Sequence, residues 1–254
     1  MSILERFRID REVALVTGAT GGLGMAIAVA LAEAGANVAC HGYSREADET
    51  CERIRDLGRM AYSFSADLSD IAQAEQLYRE VQAQMGAPGI LVNNAGIIHR
   101  QPAEQFDTAI WSRVLDVNLT SAFRLSQLAG SAMLERGRGK IINIASLLAF
   151  QGGSEVPAYA ASKAALTQLT RALANEWGAG NLQVNAIAPG FFRTAHTEEL
   201  RKDETLSRQI VDRIPAARWG EPEDLTGAVV FLASRASDYV NGEVLVIDGG
   251  WRTR

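Results

Sequence analysis

Seven short apolar runs are spread along the chain, at 13–17, 38–41, 61–65, 90–92, 140–145, 184–188 and 244–247. Each is too short for a helix and lacks the polar alternation of a half-exposed strand, which fits strands buried on both faces of a parallel sheet. Between them lie Ala-rich stretches at 25–34, 71–85, 109–135 and 158–177, long enough for the crossover helices that parallel strands require. Repeated β-α-β units predict an α/β fold, a doubly wound parallel sheet of seven strands with helices on both faces. No Pro-, Ser- or Gly-rich linker divides the 254 residues, so a single domain over 1–254 is expected. The stretch 193–219 is polar and helix-favouring and holds no strand; it predicts a helical flap before the last strand.

Composition narrows the function classes. With 25 basic and 30 acidic residues the formal charge is −5, so no global positive field draws nucleic acid or an anionic membrane. Residues 1–11 are rich in charge and unlike a signal peptide, and no run is long enough to span a bilayer. A cytoplasmic protein is expected. Cys40 and Cys51 are too few for a disulfide framework and read as small buried residues in a reducing compartment. His41, His99 and His196 fall in three separate segments without ligand spacing, so no metal site is expected.

Directly after the first apolar run comes Thr17-Gly18-Ala19-Thr20-Gly21-Gly22-Leu23-Gly24, followed at once by a helical pattern. Glycines in that place let the backbone turn sharply and approach a pyrophosphate, whose charge is met by free N–H groups and the helix dipole. The strand-before, helix-after setting points to a dinucleotide of the Rossmann type. An acid at the end of the second strand would hydrogen-bond the 2′-hydroxyl of NAD and repel the 2′-phosphate of NADP. Gly42 stands there, followed by Tyr43, Ser44 and Arg45. The missing acid and the possible pairing of Arg45 with a phosphate favour NADP(H) over NAD(H); the other reading makes Arg45 a solvated start to the next helix.

The spacing T-G-x-x-x-G-x-G resembles that of the short-chain dehydrogenase/reductase family, and further elements follow in that family's order: Asp67-Leu68, Asn93-Asn94-Ala95-Gly96, Ser146 thirteen residues before Tyr159, and Pro189-Gly190. The resemblance runs along nearly the whole chain. It implies that Asp67 and Leu68 lie at the adenine, that Asn94, Ala95 and Gly96 flank the adenosine half, and that Pro189, Gly190 and Thr194 lie on the nicotinamide side. Gly18, Thr20, Gly22, Leu23 and Gly24 would hold the phosphates. It also implies a homotetramer, with a subunit contact in the apolar C-terminal region at 244–251.

Ser146 follows the fifth run, and Tyr159 and Lys163 lie one turn apart on the next helix, hence on one face. Bringing a phenol from about pH 10 to about 7.5 requires favouring the phenolate by about 3.4 kcal/mol. A lysine ammonium at about 4 Å supplies about 4 kcal/mol at an effective dielectric of about 20. Tyr159, activated by Lys163, is therefore the expected proton donor and acceptor, with Ser146 orienting the substrate oxygen. The resemblance adds Asn118, in Asp116-Val117-Asn118-Leu119, as the residue holding a water that links the lysine to solvent.

Longer matches, among them 139–146 (GKIINIAS), Phe150-Gln151-Gly152-Gly153 and Arg218-Trp219-Gly220, resemble the sugar-acid dehydrogenases within the family. They imply oxidation or reduction at a secondary hydroxyl of gluconate or a deoxy or dehydro relative of it. Such a substrate needs a cation and several polar contacts. Candidates are His99, Arg100, Gln151, Glu155 and Arg193, with Arg100 or Arg193 expected at the carboxylate; each arginine is equally open to being a surface ion pair. Two alternatives remain, a 3-oxoacyl-carrier-protein reductase, which the acidic balance disfavours, and a noncatalytic dinucleotide-binding regulator.

Overall fold

Every residue of the apolar runs in β1 (Val13–Val16), β2 (Asn37–Gly42), β4 (Ile90–Asn93), β5 (Gly139–Ile144) and β6 (Leu182–Pro189) beyond a first position is buried in the computed structural model, which describes residues 2–253. The reason is that both faces of the sheet are covered. Along β1, Ala14 and Val16 face one core layer and Leu15 the other; Ile90 and Val92 alternate with Leu91, and Ile142 and Ile144 with Ile141, in the same way. With β3 (Ala61–Ser65) and β7 (Val244–Ile247) they form one sheet, all pairs parallel, in the order β3-β2-β1-β4-β5-β6-β7.

After the short α1 (Ile3–Arg6), the first layer is closed by α2 (Gly22–Glu33) and α3 (Asp48–Asp56). The second layer is closed by α4 (Ile71–Met85), and, beyond α5 (Thr108–Leu115), by α6 (Ser121–Arg136) and α7 (Pro157–Trp177). Asp70 caps α4 by accepting from the Ala72 amide at 2.9 Å, and Asp107 caps α5 by accepting from Ala109 and Ile110. Gly21 caps α2 with no side chain, leaving the first amides of that helix to face outward. The 193–219 stretch folds as a flap of α8 (Glu198–Lys202) and α9 (Glu204–Arg213), as expected, and α10 (Glu223–Ala233) then returns to the first layer.

The 109–135 stretch is helical throughout, with a π-helical segment at Asp116–Thr120 between α5 and α6. The extra residue per turn carries Asn118 inward, where it is buried.

Candidate active site

In an open parallel sheet the natural crevice lies outside the carboxyl ends of the strands, where the winding reverses. Here that point is between β1 and β4, and a cleft of about 560 Å³ opens there. Thr17 follows β1 and ties the two strands together: its hydroxyl accepts from the Asn94 and Ala95 amides, each at 3.0 Å. Asn94 returns the contact, its side-chain amide donating to the Thr17 and Gly18 carbonyls at 2.9 and 3.0 Å. The glycine turn is packed to its limit. Gly18 has φ +65°, and a Cβ on Gly24 would meet the Gly18 carbonyl oxygen at 2.0 Å. Across the cleft the Thr194 side chain stands 3.5 Å from where a Cβ on Gly22 would lie.

The turn thus presents amides at a helix N-terminus, with no side chain in the way, to a cavity of nucleotide size. A pyrophosphate fits such a cradle. All residues expected at the dinucleotide line the cleft: Gly18, Thr20, Gly22, Leu23, Gly24, Tyr43, Ser44, Arg45, Asp67, Leu68, Asn94, Ala95, Gly96, Tyr159, Lys163, Pro189, Gly190 and Thr194. At the β2–β3 end of the cleft, burial raises the Asp67 carboxyl, but hydrogen bonds from Ser69 and Tyr43 and the charge of Arg113 outweigh it and hold the group below its ordinary value. Gly42 is required where it stands, because a Cβ there would meet the Arg45 carbonyl at 2.2 Å and Thr20 at 2.6 Å. No acid fits at that position. Arg45 lies at the cleft edge beside Gly21, in an exposed ion pair with Glu49 at 3.0 Å, and precedes α3 rather than opening it.

At the other end, Ser146 follows β5, and Pro157 at the first position of α7 sets Tyr159 in its first turn. Lys163, 3% exposed, donates to the Ile144 carbonyl at 2.7 Å, with its Nζ 5.7 Å from the Tyr159 ring centre. Asn118 lies behind the cleft wall: its Oδ1 accepts from the Ile97 amide at 2.8 Å and its Nδ2 donates to the Ile97 carbonyl and the Ser162 hydroxyl at 3.0 and 3.1 Å. Both Asn118 and the lysine ammonium lie 3.4 Å from where a Cβ on Gly96 would be, so the two groups stand directly behind this part of the cleft wall.

The electrostatics differ from the sequence expectation. Burial pushes the Tyr159 phenol above its ordinary value, opposed by a hydrogen bond with Ser146. Burial also lowers Lys163 to about 8. The lysine ammonium is anchored on the Ile144 carbonyl, with its Nζ 5.7 Å from the centre of the Tyr159 ring. In the phenol desolvation outweighs the Ser146 hydrogen bond, so burial rather than the lysine sets the direction of its shift.

The expected substrate residues are placed differently from the rest. None of His99, Arg100, Gln151, Glu155 and Arg193 lines the cleft. Arg193 pairs with Glu221 at 2.9 Å, Gln151 accepts from the Trp251 indole at 3.2 Å, and His99 packs edge-on against Phe106. Arg100 and Glu155 are exposed. Residues the sequence did not mark do line it, notably His41, Ile97, Arg113, Phe192 and His196. His196 is lowered by burial and by the nearby Lys163. Among the described residues no group of three His, Cys, Asp or Glu is placed to hold a metal ion, and no helix is long and apolar enough to cross a membrane.

A family model described as enoyl-(acyl carrier protein) reductase matches residues 18–252. The chain belongs to the short-chain dehydrogenase/reductase family. Within that family it is 51% identical over 254 residues to the 2-dehydro-3-deoxy-D-gluconate 5-dehydrogenase of Bacillus subtilis (strain 168), covering 98% of each chain. Among solved members, the gluconate 5-dehydrogenase of Burkholderia cenocepacia J2315, in complex with NADP and tartrate, is 38% identical with a TM-score of 0.94 over 100% of both chains. The 3-oxoacyl (acyl-carrier-protein) reductase of Agrobacterium tumefaciens C58, with NADP bound, is 31% identical with a TM-score of 0.93, covering 98% of this chain and 97% of that one.

Proposed function

We propose that this short-chain dehydrogenase/reductase interconverts a secondary hydroxyl and a ketone on a sugar acid of the 2-dehydro-3-deoxy-D-gluconate or gluconate class, with NADP(H) as the preferred cofactor. The observation that carries this is the arrangement of Ser146, Tyr159 and Lys163 at one end of a cleft whose other end is a glycine cradle. The identity to sugar-acid dehydrogenases supports the substrate class. The NADP in similar structures and the placement of Arg45 beside Gly21, where Gly42 excludes an acid, support the cofactor. The glycine turn and the Pro189–Thr194 side of the cleft would hold a nicotinamide dinucleotide, which would supply the hydride acceptor for oxidation and the donor for reduction.

The chain's own groups then handle the oxygen and its proton. In reduction the Tyr159 Oη–H donates to the oxygen as it gains negative charge, and the Ser146 hydroxyl donates a second hydrogen bond that fixes its position. In oxidation the phenolate accepts the hydroxyl proton. Lys163 favours that phenolate through its charge, and its contact with Ile144 fixes where the charge sits. Asn118 holds the Ile97 backbone that closes the site beside Gly96. Because Arg193 is engaged with Glu221, we assign the carboxylate to Arg100, exposed three residues after the cleft-lining Ile97, with His196 meeting hydroxyls inside.

The carrier-protein reductase reading is weaker, because an acidic carrier finds no excess of basic residues in a chain of charge −5. A noncatalytic regulator has no use for a buried lysine beside a half-buried tyrosine. We read the protein as a cytoplasmic homotetramer; the free buried thiols Cys40 and Cys51 suit a reducing compartment, and the partly covered edge strand β7 suits a subunit contact. A panel of sugar acids and their keto forms, assayed with NAD(H) and NADP(H) in both directions, tests the reading. Turnover of 3-oxoacyl thioesters in preference to every sugar acid would overturn it.

A further inference from the structure

We infer that His41 is a positioning residue for the dinucleotide: its imidazole clamps the Gly18 amide and so fixes the glycine turn in the shape that receives the pyrophosphate. The inference rests on reading the cleft as a dinucleotide site. His41 lies near the end of β2 and is 2% exposed, in a stretch otherwise filled by small and apolar groups such as Ala39 and Cys40. An imidazole there must satisfy both ring nitrogens, since burial of an unpaired polar group is costly.

Both nitrogens are satisfied, and the partners dictate the tautomer. The Gly18 amide donates to Nδ1 at 3.1 Å, so Nδ1 carries no proton. The proton is on Nε2, which lies 3.0 Å from the Ala66 carbonyl and donates to it. Burial, only partly offset by that carbonyl, lowers the pKa and keeps the ring neutral. The main chain adds a third tie: the Ala19 amide donates to the His41 carbonyl at 2.8 Å. Gly18 is thereby held on both sides of its Cα. Its N–H goes to His41, its carbonyl to the Asn94 side chain at 3.0 Å, and its φ of +65° is the conformation between them.

The clamp matters because Gly24 packs onto the Gly18 carbonyl with no room to spare. A turn released at the Gly18 amide can move the start of α2, whose amides face the cleft. His41 takes no part in the proton transfer, because β2 is three strands removed from β5, which leads into Ser146. The effect belongs to cofactor binding.

Two polar replacements separate the contacts. His41→Asn places an acceptor oxygen near the Nδ1 position and loses the reach to Ala66. His41→Gln reaches toward Ala66 and offers nothing at Nδ1. Titration of the full-length protein with NADPH, followed by its fluorescence, should give Kd within about threefold of the parent for His41→Asn and weakened about tenfold for His41→Gln, the loss expected for one buried hydrogen bond. In steady state His41→Gln should raise KM for the cofactor about tenfold while kcat changes by about twofold or less. Equal binding by His41→Gln and the parent, or equal loss in both variants, overturns the assignment. Hydrogen–deuterium exchange of the cofactor-free parent needs no substitution: the Gly18 amide should be protected, and exchange at the rate of an open loop also overturns it. A parent protein that binds neither NADPH nor NADH would instead overturn the reading of the cleft itself.

Discussion

Replacing Lys163 with Met should abolish most activity and yet make the protein more stable at neutral pH, by an amount that disappears in alkali. Lys163 is 3% exposed and its pKa is lowered from 10.5 to about 8 by burial alone. A fall of about 2.5 pH units corresponds to about 3.4 kcal/mol of penalty on the folded state while the amine is charged. Methionine has similar length and no charge, so the variant escapes that penalty. Against this, the Ile144 carbonyl loses its donor, at about 1–2 kcal/mol. The net gain at pH 7 is about 1–2 kcal/mol. The sign with pH follows from the lowered folded pKa. Between about 8 and 10.5 the unfolded chain binds more protons than the folded one, so the parent gains stability as pH rises through that window. By pH 10 the stability difference between variant and parent should have moved by about 2.5 kcal/mol in the parent's favour, which reverses its sign. Urea unfolding followed by fluorescence of the four tryptophans, at one protein concentration and at pH 7, 8.5 and 10, measures this directly. Groups common to both proteins cancel in the difference. A difference that stays constant from pH 7 to 10 would refute the claim that Lys163 is a charge held in a desolvated site.

Other expectations can be checked in parallel. Tyr159→Phe should lower kcat by about 10² to 10⁴ with cofactor Kd unchanged, and full activity would remove Tyr159 from the mechanism. Because burial raises the phenol, kcat/KM for oxidation should climb with pH beyond 8 while that for reduction holds level until the phenol ionises; a plateau in oxidation from pH 7 upward would contradict this. Arg45→Ala should weaken NADPH about tenfold with little change for NADH, and Glu49→Gln, which frees Arg45, should shift preference the opposite way; Kd values for both cofactors decide. The double variant Arg100→Ala, Arg193→Ala should raise KM for a sugar acid about tenfold, and an unchanged KM would direct the search to groups inside the cleft such as His196.

The parts legible in the sequence share a physical cause. β1, β4, β5 and β6 stand out because burial on both faces demands unbroken apolar runs, and the glycine turn because close backbone packing admits no side chain at Gly24. Tyr159 and Lys163 are readable because helical spacing alone puts them on one face. Where a side chain's position depends on a distant partner, local spacing is silent. Gln151 is held by Trp251, one hundred residues on, and Arg193 by Glu221, so proximity to a motif in sequence did not bring either into the cleft. The π-helical segment at Asn118 left no mark because its residues suit an ordinary helix equally well.

His41 and His196 show the same limit from the other side. As isolated histidines without ligand spacing they carry no signal, and a strand position among apolar neighbours suggests a satisfied core residue. The fold gives them different settings. His196 is carried by the flap to the end of the cleft that holds Lys163, which lowers its pKa further, while His41 is carried by β2 to the back of the glycine turn. The activation of Tyr159 is subject to a related limit. Spacing specifies that Lys163 lies on the same helix face as the phenol, but the strength of the effect depends on the Ile144 carbonyl that anchors the ammonium and on the water both groups lose. A charged lysine buried at that cost has no structural advantage over methionine. Its presence fits the proposed proton transfer, and the pH-dependent stability of the Lys163→Met variant would measure that cost.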